Sequence, residues 1–189
     1  MPLAPLVFLS LVLGCATDRS PAGPLQLLDL EDRPFAPLDV PDDALSVFLF
    51  TRTDCPISNR YAPEVERLNA KFSPRGVVFW LVYPDPDEEG DAIRRHGEEF
   101  AYSLAALRDP EQALVRRTGA TVTPEVAVFA GPQRLVYRGR IDDRYVAFGE
   151  ARPQATQRDL EDVLDALLSG RHVEPTTTTA VGCFILDLE

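Results

Sequence analysis

The 189-residue chain carries three cysteines, Cys15, Cys55 and Cys183, and two histidines, His96 and His172. Cys55 has the setting for chemistry. It stands in Thr51-Arg52-Thr53-Asp54-Cys55-Pro56-Ile57-Ser58-Asn59, between the apolar run Leu45 to Phe50 and the amphipathic run Ile57 to Phe72. A strand therefore ends and a helix begins at this cysteine. Pro56 suits the first helical position, because its ring presets φ and the N–H it lacks would have had no partner there. Cys55 then sits at the N-cap, where free N–H groups and the positive end of the helix dipole favour a thiolate. The thiolate is the nucleophilic form, so Cys55 is the candidate nucleophile. Arg52 or Arg60 can add positive charge, and Asp54 opposes it if it points at the sulfur. Ser58, three residues on, cannot close a disulfide. Its hydroxyl can bond the thiolate, or it is simply a polar residue of the first turn. A cysteine with serine at this spacing can make mixed disulfides, or reduce a peroxide and become a sulfenic acid that awaits another thiol.

Cys183 is the candidate for that other thiol. Thr176 to Thr179 gives the tail length to swing, provided the two Cα atoms come within about 7 Å. A permanent structural disulfide, or a free cysteine packed with Phe184 and Ile185, are the alternatives.

Several elements must position these residues. Leu45 to Phe50 is nearly continuous apolar sequence, as in a central strand buried on both faces. The helix after Cys55 carries Ile57, Tyr61, Val65, Leu68 and Phe72 on one stripe. Pro63 lies inside it and removes one hydrogen bond. Ser73-Pro74-Arg75-Gly76 ends it, and Val77 to Val82 is a second buried strand, so the strand–helix–strand unit predicts a parallel pair. A polar helix with a weak apolar stripe is expected from about Glu88 to Phe100, with His96 in solvent. Asp109-Pro110-Glu111-Gln112 reads as a cap with proline at the first helical position, and Gly119 as the stop. The strand Glu125 to Ala130, the turn Gly131-Pro132-Gln133 and Leu135 to Tyr137 form a hairpin. Thr123-Pro124 stands just before it. Arg138 to Tyr145 alternates in charge and reads as a solvated loop held by surface ion pairs. Thr156 to Asp159 reads as a capping box for a last helix with Leu160, Val163, Leu164 and Leu167 as its stripe, stopped by Gly170. Leu25 to Leu30 with the turn Glu31 to Pro34 gives a small N-terminal hairpin or edge strand.

A net charge of −11 with no basic block argues against a nucleic-acid partner. Two histidines with no H-x-x-x-H or C-x-x-C spacing leave little for a metal. Pro2 to Gly14 is apolar, too short for a comfortable membrane span, and fits the core of a signal peptide. Val12-Leu13-Gly14-Cys15 resembles a bacterial lipobox, in which Cys15 is lipidated. The expected plan is a signal peptide and lipobox over residues 1–15, a linker over 16–24, one domain over 25–170, and a tail over 171–189 that carries the second cysteine. Such a chain is exported, to the periplasm or the outer face of a membrane, where disulfides persist.

The element order, Cys55-Pro56 at a strand-to-helix corner, Pro63 in the first helix, and Thr123-Pro124 before the hairpin together resemble the thioredoxin fold. The match is to its redoxin branch, which includes the peroxiredoxin-like proteins (alkyl hydroperoxide reductase and thiol-specific antioxidant). The run Asp54 to Glu64 and the tail Ala180-Val181-Gly182-Cys183 look like a bacterial exported subgroup. The resemblance covers about Leu25 to Leu168. It implies an α/β domain with a central mixed sheet flanked by helices, and a cis-proline at Pro124. It also implies that Thr123, Pro124 and Pro56 shape a substrate site beside Cys55, with the Thr123 backbone free to pair with a substrate strand.

Ser58 and Asp54 depart from the W-C-x-x-C of thioredoxins, Arg52 from the P-x-x-x-T-x-x-C of peroxiredoxins, and Asn59 from the C-x-x-x-C of copper chaperones. The implied function is thiol-based redox chemistry with no organic cofactor or metal. Cys55 attacks a disulfide or a peroxide, Cys183 serves as a possible resolving thiol, and another thiol protein supplies electrons. The rivals are a binding module that keeps the fold without turnover, and a copper-delivery protein that uses Cys55 and Cys183 as soft ligands.

Overall fold

The computed structural model describes residues 25–186, so the expected signal peptide, Cys15 and the linker lie outside the described residues. Leu27–Leu28 (β1) and Pro34–Phe35 (β2) form the small N-terminal hairpin. Leu45–Phe50 (β3) leads through the Cys55 corner into Pro56–Phe72 (α1), and Val77–Tyr83 (β4) follows. Next come Gly90–Glu99 (α2), Ala105–Arg108 (β5), Ala113–Thr118 (α3), Val122–Thr123 (β6), Glu125–Ala130 (β7) and Arg134–Gly139 (β8). Tyr145–Ala147 (β9) and Glu150–Ala151 (β10) make a second hairpin ahead of Asp159–Leu168 (α4). Thr176–Thr177 (β11) and Cys183–Phe184 (β12) lie in the tail.

The main sheet has the order β11-β8-β7-β3-β4-β5-β1-β2. β3 pairs in parallel with β4 and antiparallel with β7, so the sheet is mixed as expected. Alternate residues of β3 feed two cores. Val47 and Leu49 pack with Tyr61, Val65, Leu68 and Phe72 of α1 and with Leu160 and Leu164 of α4. Phe48 and Phe50 pack on the opposite face with Leu107, Leu114, Phe129 and Ile185. Each large apolar side chain buried this way contributes about 1.5–3 kcal/mol, which fixes the register of β3 and with it the place of Cys55. No helix among the described residues is long and apolar enough to cross a membrane.

Several expectations give way to longer-range contacts. β5 has no counterpart in the sequence pattern. His96 is buried rather than solvated, because α2 lays it against Tyr83 of β4. Asp109 does cap a helix, but from outside it. Its carboxylate accepts the N–H groups of Ala113, Leu114 and Val115, and the helix starts only at Ala113. No capping box forms at α4, since the Thr156 hydroxyl and N–H are both donated to Asp143. Asp142 and Asp143 are buried inside the segment expected to be solvated. Asp142 accepts the Tyr61 hydroxyl at 2.5 Å, which ties that loop to α1.

The tail is a seated strand rather than a swinging arm. β11 adds to the edge of β8. The Thr178 N–H donates to the Arg138 carbonyl, and its hydroxyl meets the Tyr137 hydroxyl at 2.6 Å.

Candidate active site

Cys55 is the N-cap of α1, with extended backbone (φ −84°, ψ 107°) and Pro56 at the first helical position. Its carbonyl accepts the Asn59 N–H at 3.0 Å. The loop before it is tied down at each step. The Thr51 N–H donates to the Val82 carbonyl (2.9 Å) and the Thr53 N–H to the Glu88 carboxylate (2.6 Å). Asn59 Nδ2 donates to the Thr53 carbonyl (3.0 Å), and His96 Nε2–H donates to Asn59 Oδ1 (2.9 Å). That fixes His96 Nδ1 as acceptor of the Tyr83 hydroxyl at 2.8 Å. Burial holds the His96 pKa below its usual value, consistent with a neutral ring.

On the other side of the sulfur lies β6. The Thr123–Pro124 peptide bond is cis. The Cys55 thiol donates to the Thr123 carbonyl at 3.0 Å. Glu125, buried at the start of β7, holds this loop by accepting the Thr121 N–H (2.8 Å) and pairing with Arg138 (2.6 Å). β12 runs antiparallel to β6 with Cys183 opposite Thr123. This brings the two sulfurs to 2.8 Å, with both cysteines free.

The two thiols are electrostatically unequal. Burial pushes the Cys55 pKa up. The nearby Cys183 thiol, the Ser58 and Thr123 side chains and the Ser58 backbone N–H favour the charged form and outweigh it, and the net value lies below the ordinary thiol. The same pairing works in reverse on Cys183, where burial, the bond to Cys55, and the charges of Cys55 and Asp54 push the pKa up to about 12. Cys55 is therefore the more acidic of the two thiols, and Cys183 holds its proton more tightly. Arg52 does not supply the charge at Cys55, because its guanidinium pairs with Asp54 and Asp85, both at 3.2 Å.

Among the predicted residues, Cys55, Pro56, Ser58, Thr123, Pro124 and Cys183 all fall at this corner, while Cys15 lies outside the described residues. Ser58 is buried, and its hydroxyl has no fixed partner in the resting arrangement, so it can turn onto the thiolate. The sequence reading did not find Asn59, His96, Glu88 or Glu125. The one signal available was a carboxylate, Glu125, opening an otherwise apolar strand. Among the described residues no group of three or more His, Cys, Asp or Glu side chains is arranged to hold a metal.

No protein-family model matches the chain, and no curated protein matches it. Solved structures do. An uncharacterised conserved protein of Geobacillus kaustophilus is 28% identical, with 87% of this chain and 88% of that one covered and a TM-score of 0.69. A hypothetical protein of Sinorhizobium meliloti is 23% identical over 85% and 89% of the two chains, with a TM-score of 0.70. A secreted Mycobacterium tuberculosis disulfide oxidoreductase is 14% identical over 78% and 96%, with a TM-score of 0.52. The chain has the thioredoxin fold.

Proposed function

We propose that the protein is a thiol oxidoreductase whose working pair is Cys55 and Cys183. The observation that carries this reading is the 2.8 Å approach of two unequal thiols across the cis-proline loop. A sulfur–sulfur bond is about 2.05 Å long, so the pair needs only a small shift to close. A thiolate with a protonated neighbour suits a cysteine that attacks and a partner that resolves. The fold shared with a protein described as a disulfide oxidoreductase points the same way.

In the reaction, the Cys55 thiolate attacks a peroxide oxygen, releases an alcohol or water, and becomes a sulfenic acid. Alternatively it attacks a disulfide and forms a mixed disulfide. Cys183 then attacks the Cys55 sulfur and closes a 55–183 disulfide, expelling water from the sulfenic acid or the remaining substrate thiol from the mixed disulfide, and an external dithiol restores both thiols. The Ser58 and Thr123 hydroxyls can turn onto the thiolate, and Pro124 and Pro56 shape the approach to it.

The test is intact mass with alkylation after hydrogen peroxide, on wild type, Cys55→Ser and Cys183→Ser. The expected result is a 55–183 disulfide in wild type and a trapped sulfenic acid in Cys183→Ser. Two thiols that stay reduced and alkylate slowly would leave a binding module.

The proposal includes export. The apolar run Pro2 to Gly14 and Cys15 support it, and the similar mycobacterial protein is described as secreted. Loss of lipid labelling in Cys15→Ala would check the anchor.

A further inference from the structure

His96 has no part in the proposed reaction, yet it is buried, at 4% exposure, behind the Cys55 loop. It belongs to a chain of hydrogen bonds that can run in only one sense. The Thr53 carbonyl can only accept, so Asn59 turns its Nδ2 toward it (3.0 Å) and its Oδ1 toward His96 (2.9 Å). His96 Nε2 must then donate, and Nδ1 is left to accept the Tyr83 hydroxyl at 2.8 Å. The Asn59 backbone N–H meanwhile donates to the Cys55 carbonyl at 3.0 Å. One asparagine thus grips the corner on both sides of Asp54, and a neutral imidazole in one tautomer keeps that asparagine aimed.

We infer that His96 is a positioning residue for Cys55 and a pH-sensitive latch on it: the neutral ring, through Asn59, holds the Thr53–Cys55 corner in place, and the protonated ring releases it. This rests on the thiol-oxidoreductase reading only in taking Cys55 as the reactive thiol. It adds a residue that touches neither sulfur, and a dependence on pH separate from the titration of the thiol.

Protonation adds an N–H at Nδ1, where the Tyr83 hydroxyl already points its hydrogen. That hydroxyl would have to turn and accept. Its hydrogen would then lose its one partner among the described residues, in a side chain that is 0% exposed. The surroundings offer the new charge little. Tyr83 faces the ring from β4 and the neutral Asn59 from α1. Phe100 and Tyr102, at and beyond the end of α2, lie 4.9 and 5.9 Å away between ring centres, and the Tyr102 hydroxyl is buried without a partner. Glu99, on α2 itself, is exposed. Its charge favours the imidazolium, but burial outweighs it. A cation so placed is relieved by moving the ring toward water, which withdraws the donor from Asn59. An unfolded histidine titrates near 6.5 and the folded ring lower, so the latch weakens as pH falls from about 6.5 toward the folded value.

The test compares wild type with His96→Gln, whose amide nitrogen and oxygen can make the same two bonds but take up no proton, and with His96→Leu, which can make neither. NMR follows the His96 ring and the Asn59 side-chain amide of the reduced protein from about pH 4 to about pH 8. In wild type the two should titrate together, with a midpoint below about 6.5, and in His96→Gln the Asn59 amide should lose that midpoint. An Asn59 amide unmoved by a titrating His96 would overturn the latch. In a second arm, the rate of Cys55 oxidation by hydrogen peroxide is divided by the thiolate fraction, read from its ultraviolet absorbance, which removes the titration of the thiol. The wild-type ratio should fall about ten- to hundredfold from about pH 7 to below the His96 midpoint, the cost of a reacting atom misplaced by ~1 Å. His96→Leu should be low at every pH. His96→Gln should rescue the rate and hold it on acidification. Glu88, which holds the Thr53 N–H from the other side, titrates in all three proteins, so a difference between wild type and His96→Gln belongs to His96. Equal ratios in all three would overturn the positioning role. If peroxide oxidises Cys55 in none of them, the oxidoreductase reading falls, and the NMR arm still decides whether His96 holds the corner.

Discussion

Helix α1 meets polar partners at both ends, on opposite terms. Along its C-terminal half and the turn that follows it, Arg67, Lys71 and Arg75 reach across to Glu161 and Asp165 of α4 in a ladder of ion pairs between 2.5 and 2.8 Å. These groups are partly exposed, and Arg67 and Lys71 each have two acidic partners. At the N-terminal end, Asn59, His96 and Tyr83 form a buried chain behind the Cys55 loop. Around it several polar atoms are buried with no partner: the hydroxyls of Thr51, Ser58 and Thr123, Arg52 Nε and Glu88 Oε2. Burial also pushes the Glu88 carboxyl above its usual pKa. An unsatisfied buried polar group costs about 1–3 kcal/mol. The fold accepts that cost at the corner that holds the thiolate and avoids it on the surface. The difference separates groups that only fasten the helix from groups kept ready for a changing charge.

The largest expected effect is at the nucleophile. Cys55→Ser should bring peroxide consumption to background, while every variant of the α4 ladder keeps it. Peroxide turnover with a dithiol reductant measures both, and residual turnover in Cys55→Ser would place the chemistry elsewhere.

Stability should sharpen the same contrast. Asn59→Ala strands the His96 Nε2–H and the Thr53 carbonyl, and should cost about 2–4 kcal/mol in urea unfolding. Arg67→Ala removes more ion pairs but should cost about 1 kcal/mol or less, because exposed charges are well solvated in either state. Equal losses would erase the distinction between the two ends.

Much of this architecture was legible in the sequence. β3, α1, β4 and the β7–β8 hairpin are written in runs and stripes whose period sets the structure. The Cys55 corner announced itself because a helix start is a local event. β5 did not, being four residues with two alanines and no alternation. His96 looked solvated because its partners, Asn59 and Tyr83, lie on other elements. The tail looked mobile for the same reason. Its seat depends on Gly182 against Thr123 and Gly139 against Thr178, contacts that join residues far apart in the chain. The sequence could name Cys183 as a partner, but the reason it sits at the sulfur is a strand pairing that local pattern does not encode.

Ser58→Ala tests the hydroxyl that can turn toward the thiolate. The Cys55 pKa is depressed, so its reaction with peroxide should rise with pH and level off below the ordinary thiol range. Without Ser58 the profile should move to higher pH. The rate below the transition should fall roughly three- to tenfold, as loss of about 1 kcal/mol of charge-assisted hydrogen bonding implies. The rate well above the transition should change little. An unmoved profile would return Ser58 to the status of a polar residue in a first turn.

The smallest effect belongs to the ladder, and its pH dependence has a definite sign. Hydrogen bonding from Arg67 above all, with Lys71, holds the Glu161 pKa down to about 2 against the opposing effect of burial. An unfolded glutamate titrates near 4.3. A depressed folded pKa gives stability that is fully present above the unfolded value and is lost as pH falls toward the folded one. Glu161→Gln should therefore cost about 1 kcal/mol or less at pH 7, given the exposure of its partners. The gap between wild type and variant should narrow between about pH 4.5 and 2, and should also shrink with added salt. A gap unchanged over both ranges would mean that Glu161 acts through packing rather than charge. The ladder would then hold α1 by close fit, in the same way as the buried chain behind Cys55.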